Sequence, residues 1–243
     1  MTVEVFVTIH SQDLLIEREA EARFARVPHR YVFVGPRPVD RLSGLNAIVA
    51  REWAGNREHL PAFYDFTGWF ILAKYVLTAA DNVILLQDDM TILDDGLVDR
   101  CDRLLAEAPG PVAFNAGYAS AGNWMLAIAG FAEAYNAGMA TVGVDPSFPP
   151  FDAWPSTQGM AWRMEDLELF MDWFEPLFDV WADNIWAGHL AERSVKAWCV
   201  VSGKPERLLP GVISHESRDL HGTGALMRGD RHTYERRAAT FGK

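Results

Sequence analysis

Along the first half of the chain, short apolar, β-rich runs alternate with segments of helical pattern or composition. Val3–Ile9 (VEVFVTI) is dominated by β-branched and aromatic residues and reads as a buried strand. Residues 13–24 are rich in Glu, Ala, Leu and Arg and read as a helix. Residues 30–34 (RYVFV) give a second strand, stopped by Gly35-Pro36, and residues 36–60 are polar and aperiodic. Thr67 can cap a helix over 67–79 that offers Phe70, Ala73, Tyr75 and Leu77 for burial. Residues 82–86 (NVILL) give a third strand, which ends at Gln87-Asp88-Asp89. Asp94 or Asp95 then caps a helix to about Glu107, whose Leu97, Cys101, Leu104 and Leu105 share one face.

The second half is less regular. Residues 111–115 and 124–129 have strand composition, and the proline-rich stretch 143–156 reads as a loop. A short strand is expected over 158–163, helices over 165–178 and 183–193, a strand over 196–201, and a polar tail from Gly203. Alternating strands and helices predict an α/β chain with a mainly parallel central sheet flanked by helices. With no internal repeat and no long linker, residues 1–243 are expected to be one domain, the second half smaller and irregular. Such sheets take ligands at the carboxyl ends of their strands. The first such end carries Thr8-Ile9-His10-Ser11 and the third carries Asp88-Asp89.

Composition narrows the function classes. The 243 residues are 49% hydrophobic and 23% charged, ordinary for a globular core. Against 33 Asp and Glu stand 22 Lys and Arg, and the net charge of −11 disfavours nucleic acid as a partner. Cys101 and Cys199 have no CxxC partner and read as buried free thiols in a reducing compartment. The chain opens without the pattern of a secretion signal, and no apolar run nears the roughly 20 residues that span a bilayer. A cytoplasmic location is therefore expected.

Three segments carry candidate chemistry. In NVILLQDDM a buried strand delivers two adjacent carboxylates, whose repulsion a Mg²⁺ or Mn²⁺ ion would relieve. The competing reading is a strand-to-turn junction in which Asp88 and Asp89 bond the local backbone. In WADNIWAGHLAER, Asp183 is either the cap of its helix or a general base presented by the helix end. In ISHESRDLHGTG, His215 and His221 are candidate metal ligands or phosphate contacts, or else solvated. A phosphate loop of the GxxxxGK type, a complete GxGxxG, an HExxH and a GxSxG are all missing from the sequence.

The order of the parts adds to this. VFVTIH, RYVFVG, a helix into NVILLQDD, TQGMAWRM, ADNIWAGHLAER and a late histidine together resemble the GT-A fold of nucleotide-sugar glycosyltransferases, of the family 2 kind, over residues 3–222. The resemblance implies a single Rossmann-like GT-A domain. Residues 1–115 would form the nucleotide-sugar-binding half, and residues 116–243 the acceptor-binding half and tail. It implies that Thr8 and His10 line the base pocket, Asp88 faces the ribose or metal, and Asp89 binds the metal. Asp183 would be the base of an inverting transfer and His215 the late metal ligand. Gln87 and Asn184 stand where the family's motifs have acids. Lys74 is the expected phosphate partner, and Trp154, Trp162 and Trp186 are expected to stack on the acceptor. The implied enzyme is a hexosyl- or N-acetylhexosaminyltransferase. It would use Mn²⁺ or Mg²⁺, a UDP-sugar as first-choice donor, and a glycan or small-molecule acceptor. The alternatives are a nucleotidyltransferase and a non-catalytic nucleotide- or sugar-binding protein of the same fold. HSQDLLIERE, with no glycine, stands where nucleotidyltransferases have a glycine-rich basic loop.

Overall fold

The computed structural model describes residues 2–9, 23–34, 47–57, 59–63, 65–88, 90–118, 129–145 and 153–215. His10, Asp89 and His221, most of the helix expected over 13–24 and most of the strand expected over 124–129 lie outside them. The described strands are β1 (Val3–Ile9), β2 (Arg30–Phe33), β3 (Ala47–Val49), β4 (Asn82–Gln87), β5 (Met90–Ile92), β6 (Val112–Ala113), β7 (Ala116–Tyr118), β8 (Ala153–Pro155), β9 (Gly159–Arg163), β10 (Arg207–Leu208) and β11 (Ile213–His215). The α-helices are α1 (Asp65–Tyr75), α2 (Leu97–Glu107), α3 (Phe131–Thr141), α4 (Met164–Val180) and α5 (Ala187–Ser202).

The main sheet has seven strands in the order β10-β6-β9-β4-β1-β2-β3. Every strand runs parallel except β9, which is antiparallel to both β4 and β6. The expected mainly parallel sheet flanked by helices is therefore observed, and strands from both halves of the chain build it. Full burial on both faces explains why β1 and β4 are almost continuously apolar. On one face Phe6, Val32, Val83, Leu85 and Trp162 pack against α1, α3, α4 and α5. On the other, Val5, Val7, Ile84 and Leu86 pack against Leu97, Cys101 and Leu105 of α2. Those α2 residues recur every four positions, the predicted stripe. The expected cap by Asp94 or Asp95 is not observed, since Gly96 is the N-cap of α2 with no side-chain cap bond; Asp94 instead accepts from the Gly96 N–H at 2.8 Å and from Arg100 at 2.6 Å. The Arg100 bond, then that of Gly96, holds the Asp94 carboxyl below its usual range.

Several boundaries differ from the sequence reading. Helix α1 stops at Tyr75 rather than 79, because Val76 turns left-handed at φ 47° and Leu77 N–H reaches back to Leu72 C=O. The expected helix over 183–193 and strand over 196–201 are one helix, α5. Ala187, Leu190, Ala191, Ser194, Val195 and Trp198 are all buried at helical spacing, and that period overrides the β-rich AWCVV. Within the proline-rich 143–156, Ala153–Pro155 is a strand paired with β7, Trp154 opposite Gly117.

Packing is tight where α3 meets the end of α4. Trp181 donates its indole N–H to Ala134 C=O at 2.8 Å, and its ring covers Gly138. A Cβ on Gly138 would lie 2.2 Å from Trp181 Cζ2. Helix propensity alone favours Ala over Gly by about 1 kcal/mol. Overpacking costs about 1–3 kcal/mol and should win. Gly138→Ala is therefore expected to lower stability in urea unfolding, whereas a gain would show that Trp181 can move aside.

Candidate functional site

The carboxyl ends of β1 and β4 lie side by side, with Thr8 opposite Gln87. Gly68 lets α1 approach them: a Cβ there would sit 3.2 Å from Val32 Cγ1 and 3.3 Å from Thr8 Cγ2. Here the apolar sheet face gives way to polar side chains. Thr8 is fully buried, and its hydroxyl has no hydrogen-bond partner among the described residues. Gln87 donates its side-chain amide to the carboxylate of Asp65, the buried first residue of α1. A position the sequence marked as a departure from an acid thus has an acid beside it. Asp65 is a residue sequence reading missed. It is 22 positions from Gln87, and no local pattern links the two.

Asp88 follows directly and is 2% exposed. Its carbonyl accepts from the Arg23 guanidinium at 3.2 Å. After Asp89, the chain returns as β5, which pairs antiparallel with β11. In that ladder His215 stands opposite Met90, and Leu93 N–H bonds Val212 C=O at 2.9 Å. Directly opposed residues in such a ladder have Cα atoms about 4.5–5.5 Å apart. The late histidine, 125 positions on in the chain, is thereby brought to the residue that follows Asp88-Asp89.

A carboxylate pair and an imidazole are ligand types that suit a divalent cation, and the β5–β11 ladder sets the His215 backbone opposite Met90, two positions after Asp88. No cluster of three or more His, Cys, Asp or Glu side chains set to hold a metal occurs among the described residues.

A second group of polar side chains lies along the same edge. β9 begins at Gly159, opposite Leu86. Just before it, Ser156 Oγ and the Thr157 N–H both donate to Glu192 Oε1 of α5, at 3.0 and 3.3 Å. The neighbouring Arg193 is buried, its guanidinium 4.1 Å from the centre of the Trp154 ring and 5.3 Å from that of Phe131.

The remaining expected residues divide. Asp183 is exposed on the turn between α4 and α5, four residues before α5. It does not cap that helix; Asn184 Oδ1 accepts from the Trp186 N–H at 2.8 Å instead. Lys74 lies near the far end of α1, about 14 Å along the axis from Asp65. It pairs with Glu175 at 3.2 Å and covers the Phe70 ring, so it is not brought to the strand ends. Trp162 is fully buried, stacked on Phe170 at 5.2 Å, and is a core residue rather than an acceptor platform. Trp154 is 8% exposed beneath Arg193, and Trp186 is half-buried beside His189. No helix among the described residues is long and apolar enough to cross a membrane.

No protein-family model and no curated protein matches the sequence. Among solved structures, the chain resembles CMP:2-keto-3-deoxy-manno-octonic acid synthetase complexed with CTP, at TM-score 0.46 and 11% identity, over 98% of this chain and 100% of that one. It also resembles mouse xyloside xylosyltransferase 1 in its apo form, at TM-score 0.46 and 10% identity, over 85% of each chain. A third likeness is to the galactosyltransferase LgtC with donor and acceptor sugar analogs, at TM-score 0.40 and 14% identity, over 92% of this chain and 93% of that one. These are likenesses of overall shape, and the activities in those names belong to those proteins.

Both cysteines are free and buried, as the sequence led us to expect. Burial pushes the Cys101 thiol up to about 12, and that of Cys199 is raised by burial as well. A raised thiol stays protonated at neutral pH, so neither is set up as a nucleophile. Native protein at pH 8 is expected to resist iodoacetamide at both positions, and urea-unfolded protein to react at both. Rapid modification of the native chain, read by mass spectrometry, would contradict that placement.

Proposed function

We propose that this protein is a glycosyltransferase that moves a sugar from a nucleoside-diphosphate sugar to an acceptor hydroxyl, with a divalent cation held at Asp88-Asp89. The observation that carries this reading is the β5–β11 ladder, which brings His215 to the residue following that pair. Asp88, Asp89 and His215 would hold Mn²⁺ or Mg²⁺. When bound, the cation supplies positive charge against the diphosphate. The chain's own residues do the rest. Thr8, its buried hydroxyl still lacking a described partner, faces the nucleoside together with Gln87 and Asp65. His10, the next residue in the sequence after β1, would be the further contact to the base.

Transfer with inversion needs a carboxylate within hydrogen-bond reach of the acceptor hydroxyl. Asp183, on the exposed turn before α5, is the residue the sequence points to. Trp154 and Trp186 are the aromatic candidates for the acceptor side. We take a UDP-sugar as the donor, a hexose or N-acetylhexosamine as the transferred group, and a glycan or small hydroxylated molecule as the acceptor.

Asp88→Asn keeps the shape of the side chain but removes its charge. Its affinity for UDP in Mn²⁺ is expected to fall by about 10–100-fold in calorimetry. UDP binding in EDTA and the melting temperature should change little. Undiminished Mn²⁺-dependent affinity in this variant would remove Asp88 from the cation site.

A further inference from the structure

Glu192 is set apart from the other carboxylates on the ligand edge by how it is held. One oxygen, Oε1, receives two hydrogen bonds, from Ser156 Oγ at 3.0 Å and from the Thr157 N–H at 3.3 Å. The other, Oε2, has Arg193 Nη1 at 3.8 Å, an ion pair too long for a hydrogen bond. The side chain is 17% exposed. Oε1 is therefore held by two donors, while Oε2 faces the Arg193 guanidinium without a hydrogen bond to it.

Three further observations describe the surroundings of that carboxylate. Trp154, in β8, and Ser156, just after its end, both face α5. Residues 192 and 193 of α5 lie over that face, Arg193 on the Trp154 ring and Glu192 on Ser156. The Trp154 indole N–H is buried and has no hydrogen-bond partner among the described residues. Thr157 is two residues from Gly159, which is opposite Leu86, two residues before Asp88. By chain geometry, the Thr157 backbone is roughly 20 Å at most from that of Asp88. Asp183, by contrast, is exposed on the turn before α5.

We propose that Glu192 is the catalytic base of the transfer, and that Ser156 and Thr157 are the groups that position it. This rests on the glycosyltransferase reading above. Glu192 Oε2 takes the proton of the acceptor hydroxyl. The acceptor oxygen forms the new bond to the anomeric carbon. The bond from that carbon to the diphosphate oxygen breaks, and its electron pair leaves with the diphosphate.

The test uses the full chain with Mn²⁺ and UDP-glucose, UDP-galactose or UDP-N-acetylglucosamine, reading UDP release with water or an added sugar as acceptor. Gln at position 192 keeps an oxygen for Ser156 and Thr157 but cannot take a proton. Glu192→Gln is expected to melt like wild type and to bind UDP–Mn²⁺ equally well. Its UDP release should slow by at least about 100-fold. Glu192→Ala should lose the same rate and also melt lower. Wild-type turnover by Glu192→Gln, with loss only in Glu192→Ala, makes Glu192 a structural tie and overturns the proposal, leaving Asp183 as the base. If wild type releases UDP from none of the donors, the glycosyltransferase reading fails first. That outcome is distinguishable from the loss of Glu192 alone.

Discussion

The parallel pairing of β1 with β4 is the constraint on which the candidate site depends. The two strands occupy the middle of the sheet, with six registered residue pairs from Val3↔Asn82 to Thr8↔Gln87. A shift of one residue would turn every side chain to the other face, sending Phe6, Val83 and Leu85 away from α1 and α4. Burial on both faces makes such a slip costly. It also fixes Thr8, Gln87 and Asp88 at one edge of the molecule. The polar groups that gather there are tolerated because they sit at the end of the core rather than in its middle.

Two connections then converge on that edge. The chain leaving β4 reverses into β5, and β11 pairs with it and brings the tail's histidine alongside. On the other flank, β9 runs against the grain of the sheet, so its first residue, Gly159, lies at the carboxyl end of β4. That reversal is why the Ser156–Thr157 turn reaches the ligand edge, with α5 and its Glu192 above it. A parallel β9 would have opened at the opposite end of the sheet. One antiparallel strand thus joins the flank of Thr8 and Asp88 to the flank of Ser156 and Glu192.

Much of the first half was legible because buried parallel strands leave an unmistakable apolar signature. Val3–Ile9 appears as read, and NVILL differs only by the addition of Gln87. The second half was harder for physical reasons. Strands of two or three residues, such as β6, β8, β10 and β11, are too short to show a period. In α5, an apolar β-rich segment is helical because its buried positions follow the helical repeat set by Ala187, Leu190 and Ala191. At the site, Asp88 was legible as a carboxylate ending a buried strand. The Asp65–Gln87 and Glu192–Ser156 contacts were not, since each joins residues more than 20 positions apart. Lys74 and Trp162 show the opposite failure. Their residue types suggest ligand chemistry, yet one is paired with Glu175 at the far end of α1 and the other is stacked inside the core.

On the proposed reading, the carboxyl ends of β1 and β4 hold a nucleoside diphosphate and a divalent cation. A crystal structure of the protein with UDP and Mn²⁺ tests it most directly. The uridine is expected beside Thr8 and Gln87. The manganese, identified by its anomalous signal, is expected at Asp88-Asp89 within coordination distance of His215, about 2.0–2.3 Å from its ligands. Nucleotide and manganese bound elsewhere on the molecule, with this edge of the sheet left to water, would contradict it.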